Sequence, residues 1–559
     1  MDKLVLGGAI GNCVHVAGVY AYMQLAESVG YRTKFLGAAV PPKQIVEAIK
    51  DYDPYIVCVS YRLTPSALHS ILEEFFSMIE GQELYDDRLF YFGGTPECID
   101  VAKEFEQFSY FFQGEERPEY ILKSLHVDEK GSNFTGIQSH ISLEGDHEDL
   151  SSIKEGNYRP LIRHHFGLPS LEETIEGIKE IALSEEVDVI SLAPDQNAQQ
   201  YFFEPEKMDR RLDGTGGVPL RTREDLEQIY MATQYGNCPR LRIYAGTRNL
   251  LKWAKLSVET INNAWGTIPL FWYSQLDGRS ERTLEEAIEE NREVIKWYGR
   301  RDIPVEINES HQWSLRECSD VMAVVDFYIA AYNAKRLGVK KYIAQFMFNT
   351  PRLTSGKADL AKMLAKKQLL DELEDENFIY LAQVRAGLTH FSIDMDVAKG
   401  QLAASTLLAL ALKPHIIHVV SFTEADHAAN PQDVIESCKI VRGVLKNAWR
   451  DFPDMTKDPE VIERKDYLVS EAKEVINNME KYFKVRYEDP LAHPECLAQM
   501  VRLGLLDAPH LKGNSAALGK VRTMPLNGGY ECVDMDGNVL KDSERTRYIL
   551  DSADRHKLI

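Results

Sequence analysis

KLVLGGAIGNCVHVAG, residues 3–18, opens with an apolar run too short for a helix, breaks at a glycine-rich turn and leads into VYAYMQLAESVG (19–30), whose apolar residues recur at helical spacing. That is a strand, a tight connection and an amphipathic helix, the opening unit of a doubly wound α/β sheet. The rhythm continues through TKFLG (33–37), a helix after Pro41-Pro42, YIVCVS (55–60), a helix from TPSALHSIL (64–72), LFYFGG (89–94) and YFFQG (110–114). Five parallel strands are expected over residues 1–125. Residues 126–158 are polar and aperiodic, as a linker is.

Beyond the linker, strand-like runs alternate with long amphipathic stretches: YRPLIRHH (158–165), VDVISLAP (187–194), RLRIYAG (240–246), TIPLFWYS (267–274), IPVEINES (303–310), KKYIAQFMF (340–348), FIYLAQV (378–384) and IIHVVSF (416–422). Eight such units over residues 159–482 predict a (β/α)8 TIM barrel. Residues 483–559 mix a short helix with a hairpin-like turn and read as a small C-terminal subdomain.

The 559 residues, 44% hydrophobic, supply apolar surface for more than one core. With 64 basic and 86 acidic residues the net charge is −22, and no Lys/Arg-rich stripe compensates, so no nucleic-acid partner is expected. No apolar run reaches the roughly 20 residues of a membrane span, and the chain enters its first strand without a leader pattern, so cytoplasmic residence and no membrane partner are expected. The eight cysteines are scattered without a CxxC pair, which disfavours zinc and iron–sulfur sites.

Ligands of open α/β sheets bind at the carboxyl ends of the strands, and His15 falls just past the end of the first one. GNCVHVAG (11–18), SYRLTPSAL (60–68) and YFGGTPE (91–97) each follow a predicted strand. Together they resemble the three signatures of base-off, His-on cobalamin-binding domains, a flavodoxin/Rossmann-like family: DxHxxG with His15 and Gly18 in place, SxL…TPS with Ser60, Thr64, Pro65 and Ser66, and the glycine pair Gly93-Gly94. This chain departs from the family at Cys13, where the family has Asp, and at Arg62, where it has Leu. The resemblance implies His15 as the lower ligand to the cobalt of a corrinoid, with Cys13, Gly18, Ser60, Arg62, Thr64, Gly93 and Gly94 around the cofactor. A carboxylate hydrogen-bonded to such an imidazole orients it, so the change at Cys13 bears directly on the expected metal bond.

Residues 159–559 resemble the catalytic barrel subunit of the glutamate mutase (methylaspartate mutase) family. The clearest stretch is GLLDAPHLKGNSAALGKVRTMPLNGG (504–529), with weaker ones at 242–256, 330–346 and 419–433. The family implies an adenosylcobalamin-dependent isomerase, a mutase with a small-molecule substrate, and an assembly that makes a homodimer the expected state. Its substrate-gripping arginines fall at Arg211, which is retained, and at His165 and Tyr244, which are not. Its amino-group glutamate falls at Tyr273. Glutamate is therefore not the expected substrate, and a less acidic carboxylic or amino acid fits better. Glu424 and Asp426 stand near the family's ribose-contacting region, while Arg248, Arg385 and His311 are further strand-end candidates. A corrinoid-dependent methyltransferase and a non-catalytic cobalamin-binding paralogue are the alternatives. The first usually carries a helical bundle ahead of its cobalamin domain, which this sequence lacks.

Overall fold

The computed structural model describes residues 3–85, 88–114, 116, 118–125, 159–244, 246–386, 391–448 and 452–556. The linker expected over 126–158 lies outside them. The chain divides into two compact units, Met1–Gly145 and Asp146–Ile559.

The first unit carries β1 (Leu4–Ile10), β2 (Arg32–Val40), β3 (Ile56–Tyr61), β4 (Leu89–Gly94) and β5 (Phe108–Phe112), all parallel in the order β2-β1-β3-β4-β5. β1 and β3 are buried at every residue, as central strands covered on both faces must be. One face packs Leu6, Ile45, Leu72 and Phe75; the other packs Val5, Val19, Met23 and Tyr91. A β-carbon at Gly7 would lie 2.4 Å from Met23 Sδ, so the helix Ala17–Ser28 seats directly on the strand backbone. Strand order reverses between β1 and β3, which opens a crevice at their carboxyl ends.

The second unit holds eight parallel strands: β6 (Leu161–Phe166), β7 (Val189–Leu192), β8 (Arg240–Ile243), β9 (Gly266–Thr267), β10 (Val305–Glu306), β11 (Lys341–Met347), β12 (Ile379–Arg385) and β13 (Ile416–Val419). They run in the order β8-β7-β6-β13-β12-β11-β10-β9. The seam between β8 and β9 is bridged by the Ala264 N–H, which donates to Leu241 O at 2.9 Å, so the expected TIM barrel is present and nearly closed. Val189, Trp265, Ile343, Leu381 and Ile416 plug its amino-terminal end.

One segment departs from the sequence reading. Only Thr267, as the second residue of β9, pairs in the sheet from the region expected as the strand TIPLFWYS (267–274). Its aromatic part is a buried loop: Trp272 packs edge-on to Trp313 at 5.0 Å, and Phe271 N donates to a Glu309 carboxylate oxygen at 2.9 Å. Tertiary packing, not a ladder, buries those rings.

The C-terminal segment belongs to the same compact unit as the barrel. β14 (Thr523–Leu526) and β15 (Gly529–Cys532) form an antiparallel hairpin, tied down where Arg464 pairs with Glu531 and with Asp320 at 2.9 Å. Buried Asp507 accepts N–H bonds from Ala508 (3.0 Å), Gly519 (2.9 Å), Lys520 (2.9 Å) and Val521 (3.2 Å), which draws DAPHLKGNSAALGKV (507–521) into a closed clasp. Among the described residues no helix is long and apolar enough to cross a membrane.

Candidate functional sites

In the first unit, β1 ends at Ile10 and the chain turns through Gly11 at φ +69°, where a β-carbon would also meet Ile71 Cδ1 at 2.6 Å. The turn buries Cys13, whose sulfur accepts the Arg62 N–H at 3.3 Å and lies 3.7 Å from His15 Nδ1. Ser60 Oγ donates to His15 O at 3.4 Å. Two of the residues singled out in sequence, Cys13 in the turn after β1 and Ser60 on β3, therefore meet at His15, and the Arg62 backbone joins them through Cys13. The imidazole itself is exposed, between Val14 at 61% exposure and the helix that begins at Ala17. Leu63, in the loop after β3, is another exposed apolar side chain.

The glycines divide. A β-carbon at Gly18 would meet nothing within 4 Å, and at Gly93 it would make only ordinary contacts, the nearest 3.7 Å away at Phe112 O. At Gly94 it would lie 2.6 Å from Tyr61 O, so that glycine serves the sheet's own packing. Thr64 takes the N-cap position of the helix Pro65–Glu80 without a capping side-chain bond, and the Arg62 side chain is exposed.

Among the described residues no group of three or more His, Cys, Asp or Glu converges to hold a metal ion. Cys13 Sγ faces one ring nitrogen of His15, Nδ1, at 3.7 Å.

In the barrel the strands alternate inward and outward, and the inward positions turn polar above the apolar plug. Arg163, on β6, donates to Ser191 Oγ (2.6 Å), Gln383 Oε1 (2.6 Å) and Glu306 Oε2 (3.2 Å). The same carboxylate oxygen accepts from Arg242 Nη2 at 3.1 Å and Trp265 Nε1 at 2.8 Å. Burial and the neighbouring Arg242 bring the Arg163 guanidinium down to about 9. Glu306, although buried, is held at about 2 by the two arginines.

One step toward the mouth, the Tyr244 hydroxyl and His165 Nε2 share a 2.7 Å hydrogen bond, and their rings stack at 5.1 Å. The Arg242 guanidinium lies 4.1 Å from the centre of the Tyr244 ring, and His418 packs 4.6 Å from His165. Burial, reinforced by Arg163 and Arg385, drives His165 and His418 well below the ordinary histidine range. Burial and Arg385 take His311, within reach of Gln345 at 3.3 Å, to about 3. The mouth is lined by neutral imidazoles.

Tyr273, near-buried and at φ +62°, has the Arg279 guanidinium 5.1 Å from its ring centre and Tyr244 and Arg242 in its field; burial pushes its phenol up to about 12. His165 and Tyr244 are in direct contact, with Tyr273 in the same field. Arg211 is not: its side chain is 89% exposed and forked onto Asp209. Its loop is pinned beside Asp195, which accepts from Gly214 N at 3.0 Å and from Arg221. Arg248 faces Glu281 at 3.6 Å. Glu424 is raised by burial against the pull of Arg385, and Asp426 is engaged with His427 Nδ1 at 2.7 Å.

The inner layer of Arg163, Arg242, Glu306, Gln345, Gln383 and His418 was not singled out by sequence reading. Its signal is a polar residue at an inward position of otherwise apolar strands: LIRHHF, RLRI, VE, YIAQF, YLAQV and IIHV.

No family model and no curated protein matches the chain. Among solved structures, a cobalamin-binding protein from Desulfitobacterium hafniense aligns at 22% identity and TM-score 0.20 over 22% of this chain. The chain spans 58% of that protein's length. A type I 3-dehydroquinate dehydratase from Clostridium difficile aligns at 12% identity and TM-score 0.23, over 52% of this chain and 95% of its own. The cobalamin-dependent S-adenosylmethionine radical enzyme OxsB aligns at 12% identity and TM-score 0.17, over 90% of this chain and 72% of its own. Likenesses this distant carry no weight for activity, which has to be read from the two sites themselves.

Proposed function

We propose that the chain is an adenosylcobalamin-dependent radical mutase that rearranges a small carboxylic or amino acid other than glutamate. The observation that carries the cofactor half is His15: an exposed imidazole at the point of strand-order reversal, with Nδ1 steered by Cys13 Sγ at 3.7 Å and apolar Val14 beside it. Gly93 leaves room beside the sheet for the cofactor's nucleotide tail, and Ser60 stands by for its displaced base. Bound adenosylcobalamin supplies a carbon-centred radical by homolysis of its cobalt–carbon bond.

The chain's own residues hold and orient. Hydrogen-atom abstraction needs no general base, which suits a mouth whose histidines are neutral and whose Tyr244–His165 pair is rigidly stacked. Tyr273 closes the same group with a phenol that stays protonated. Those residues position an organic substrate and keep competing solvent reactions away.

The test is a visible and paramagnetic-resonance titration of the full-length protein with adenosylcobalamin, for wild type and His15→Ala, with and without candidate acids. A base-off, His-on spectrum that His15→Ala abolishes, together with a cobalt paramagnetic signal appearing only when a cognate acid is added, is the expected result. Binding without that signal, accompanied by methyl transfer from methylcobalamin, would replace the mutase with a methyltransferase. No binding at all would end the cobalamin reading.

A further inference from the structure

The family likeness puts substrate-gripping arginines at positions 165 and 244, where this chain has His and Tyr. Arginines stand instead two residues earlier on the same strands, at 163 and 242. Two residues along a strand keep the inward face and move a side chain roughly 6–7 Å deeper into the barrel. The positive charge has been lowered by one layer, not lost.

That lowered layer is unbalanced. Arg163 and Arg242 are both 0% exposed, and Glu306 is the carboxylate that meets them. Ser191 and Gln383, the other partners of Arg163, are neutral. Two guanidinium donors and the Trp265 indole crowd onto the single oxygen Oε2, while Arg163 Nη2, Arg242 Nε and Arg242 Nη1 have no hydrogen-bond partner. Two cations against one anion leave one uncompensated charge, and a buried charge without a partner costs several kcal/mol. Buried donors left open are expected to meet an acceptor. Higher up, Arg385 Nε is also buried without a hydrogen-bond partner, with Glu424 in the field of that guanidinium.

We infer that the inner layer of the barrel is a binding site for one carboxylate, taken by Arg242 and Arg163 beneath the Tyr244–His165 pair. A planar group with two acceptor oxygens matches the guanidinium fork and restores the neutrality of the inner layer. The inference rests on the barrel mouth being the substrate site of the proposed function, and it does not depend on cobalamin.

The experiment is calorimetric titration of the full-length protein, without any corrinoid, using propionate and the neutral isostere propionamide. Saturable binding of one propionate per chain is expected, with propionamide roughly tenfold or more weaker. R242Q weakens propionate by roughly tenfold or more, and E306Q, which keeps an acceptor oxygen while removing the opposing charge, tightens it. Should R242Q not fold, E306Q and the propionamide comparison decide. Equal binding of propionate and propionamide, unchanged affinity in E306Q, or no saturable binding of propionate overturns the site. Propionate binding in a protein that ignores adenosylcobalamin would keep this site and discard the mutase.

Discussion

The two units place chemistry differently. In the first, the sheet interior is apolar except at Ser60 near the end of β3, and the candidate ligand His15 sits on a loop beyond the strand ends, so the scaffold and the site share few atoms. In the second, Arg163, Arg242 and Glu306 are strand residues at 0% exposure, and the site is part of the core itself. A rim site can change while its scaffold stands. An interior site cannot, because each of its polar groups is also a packing element whose partners would be stranded.

The largest effect that separates the two is expected from Glu306→Ala, which strands two buried guanidinium groups and lowers the stability of the second unit by about 3–5 kcal/mol. All six tryptophans lie between residues 253 and 449, so urea unfolding followed by tryptophan fluorescence reads that unit alone. A loss no greater than that of a surface substitution would show that the inner layer is not part of the core.

Next is the response to acid. His164 is held at about 4 and His311 at about 3 by burial with Arg385 nearby, and His165 and His418 are also lowered. A histidine with a lowered native pKa contributes stability that is present above about 6.5 and lost as pH falls toward its native value, about 1.4 kcal/mol per pH unit per group. Glu309, raised to about 8 by burial, and Asp326, raised as well, run the other way between about pH 4.5 and 8 and offset part of the slope. The net expectation is a second unit that weakens steadily from pH 6.5 to 4. His15 and His69, the described histidines of the first unit, are not buried, so its transition, followed by tyrosine fluorescence and far-UV dichroism, should move less. His164→Asn should flatten the slope of the second unit.

Gly94→Ala, which sets a β-carbon 2.6 Å from Tyr61 O, should cost the first unit about 1–3 kcal/mol, while Gly18→Ala, with no neighbour within 4 Å, should cost nothing measurable. His15→Ala is likewise expected to change little: stability within about 0.5 kcal/mol of wild type, with corrinoid binding gone. If His15→Ala destabilised the first unit as Glu306→Ala does the second, the distinction between rim and interior sites would fail.

The same distinction explains what the sequence could convey. Strands β1, β3 and β4 were legible because parallel strands covered on both faces are written as continuous apolar runs, and the more exposed edge strands β2 and β5 because the turns around them punctuate the chain. The loops after them were legible because glycine, proline and a lone histidine stand out against such runs. Cys13 was readable as a departure, but its contact with His15 Nδ1 was not, since it depends on how the Gly11 turn folds the sulfur back. In the barrel, eight βα units followed from periodicity, but LFWYS (270–274) was misassigned because a buried aromatic loop and a buried strand have the same composition. Arg163 and Arg242 were passed over because a single arginine in an apolar run does not reveal whether it faces the barrel axis or the helices. That is settled only when register sets Arg163 opposite His418 and Arg242 opposite Ser191.

The Asp507 clasp alters the meaning of the most recognisable stretch of this chain. Residues 507–521 are gathered by one carboxylate onto four backbone amides, away from the charged inner layer of the barrel. A stretch of that kind tells how the end of the chain is tied down and nothing of what the barrel does: a chain without turnover would still need its knot tied. The polar interior of the barrel stands instead at six inward positions on six strands, where no contiguous word is spelled.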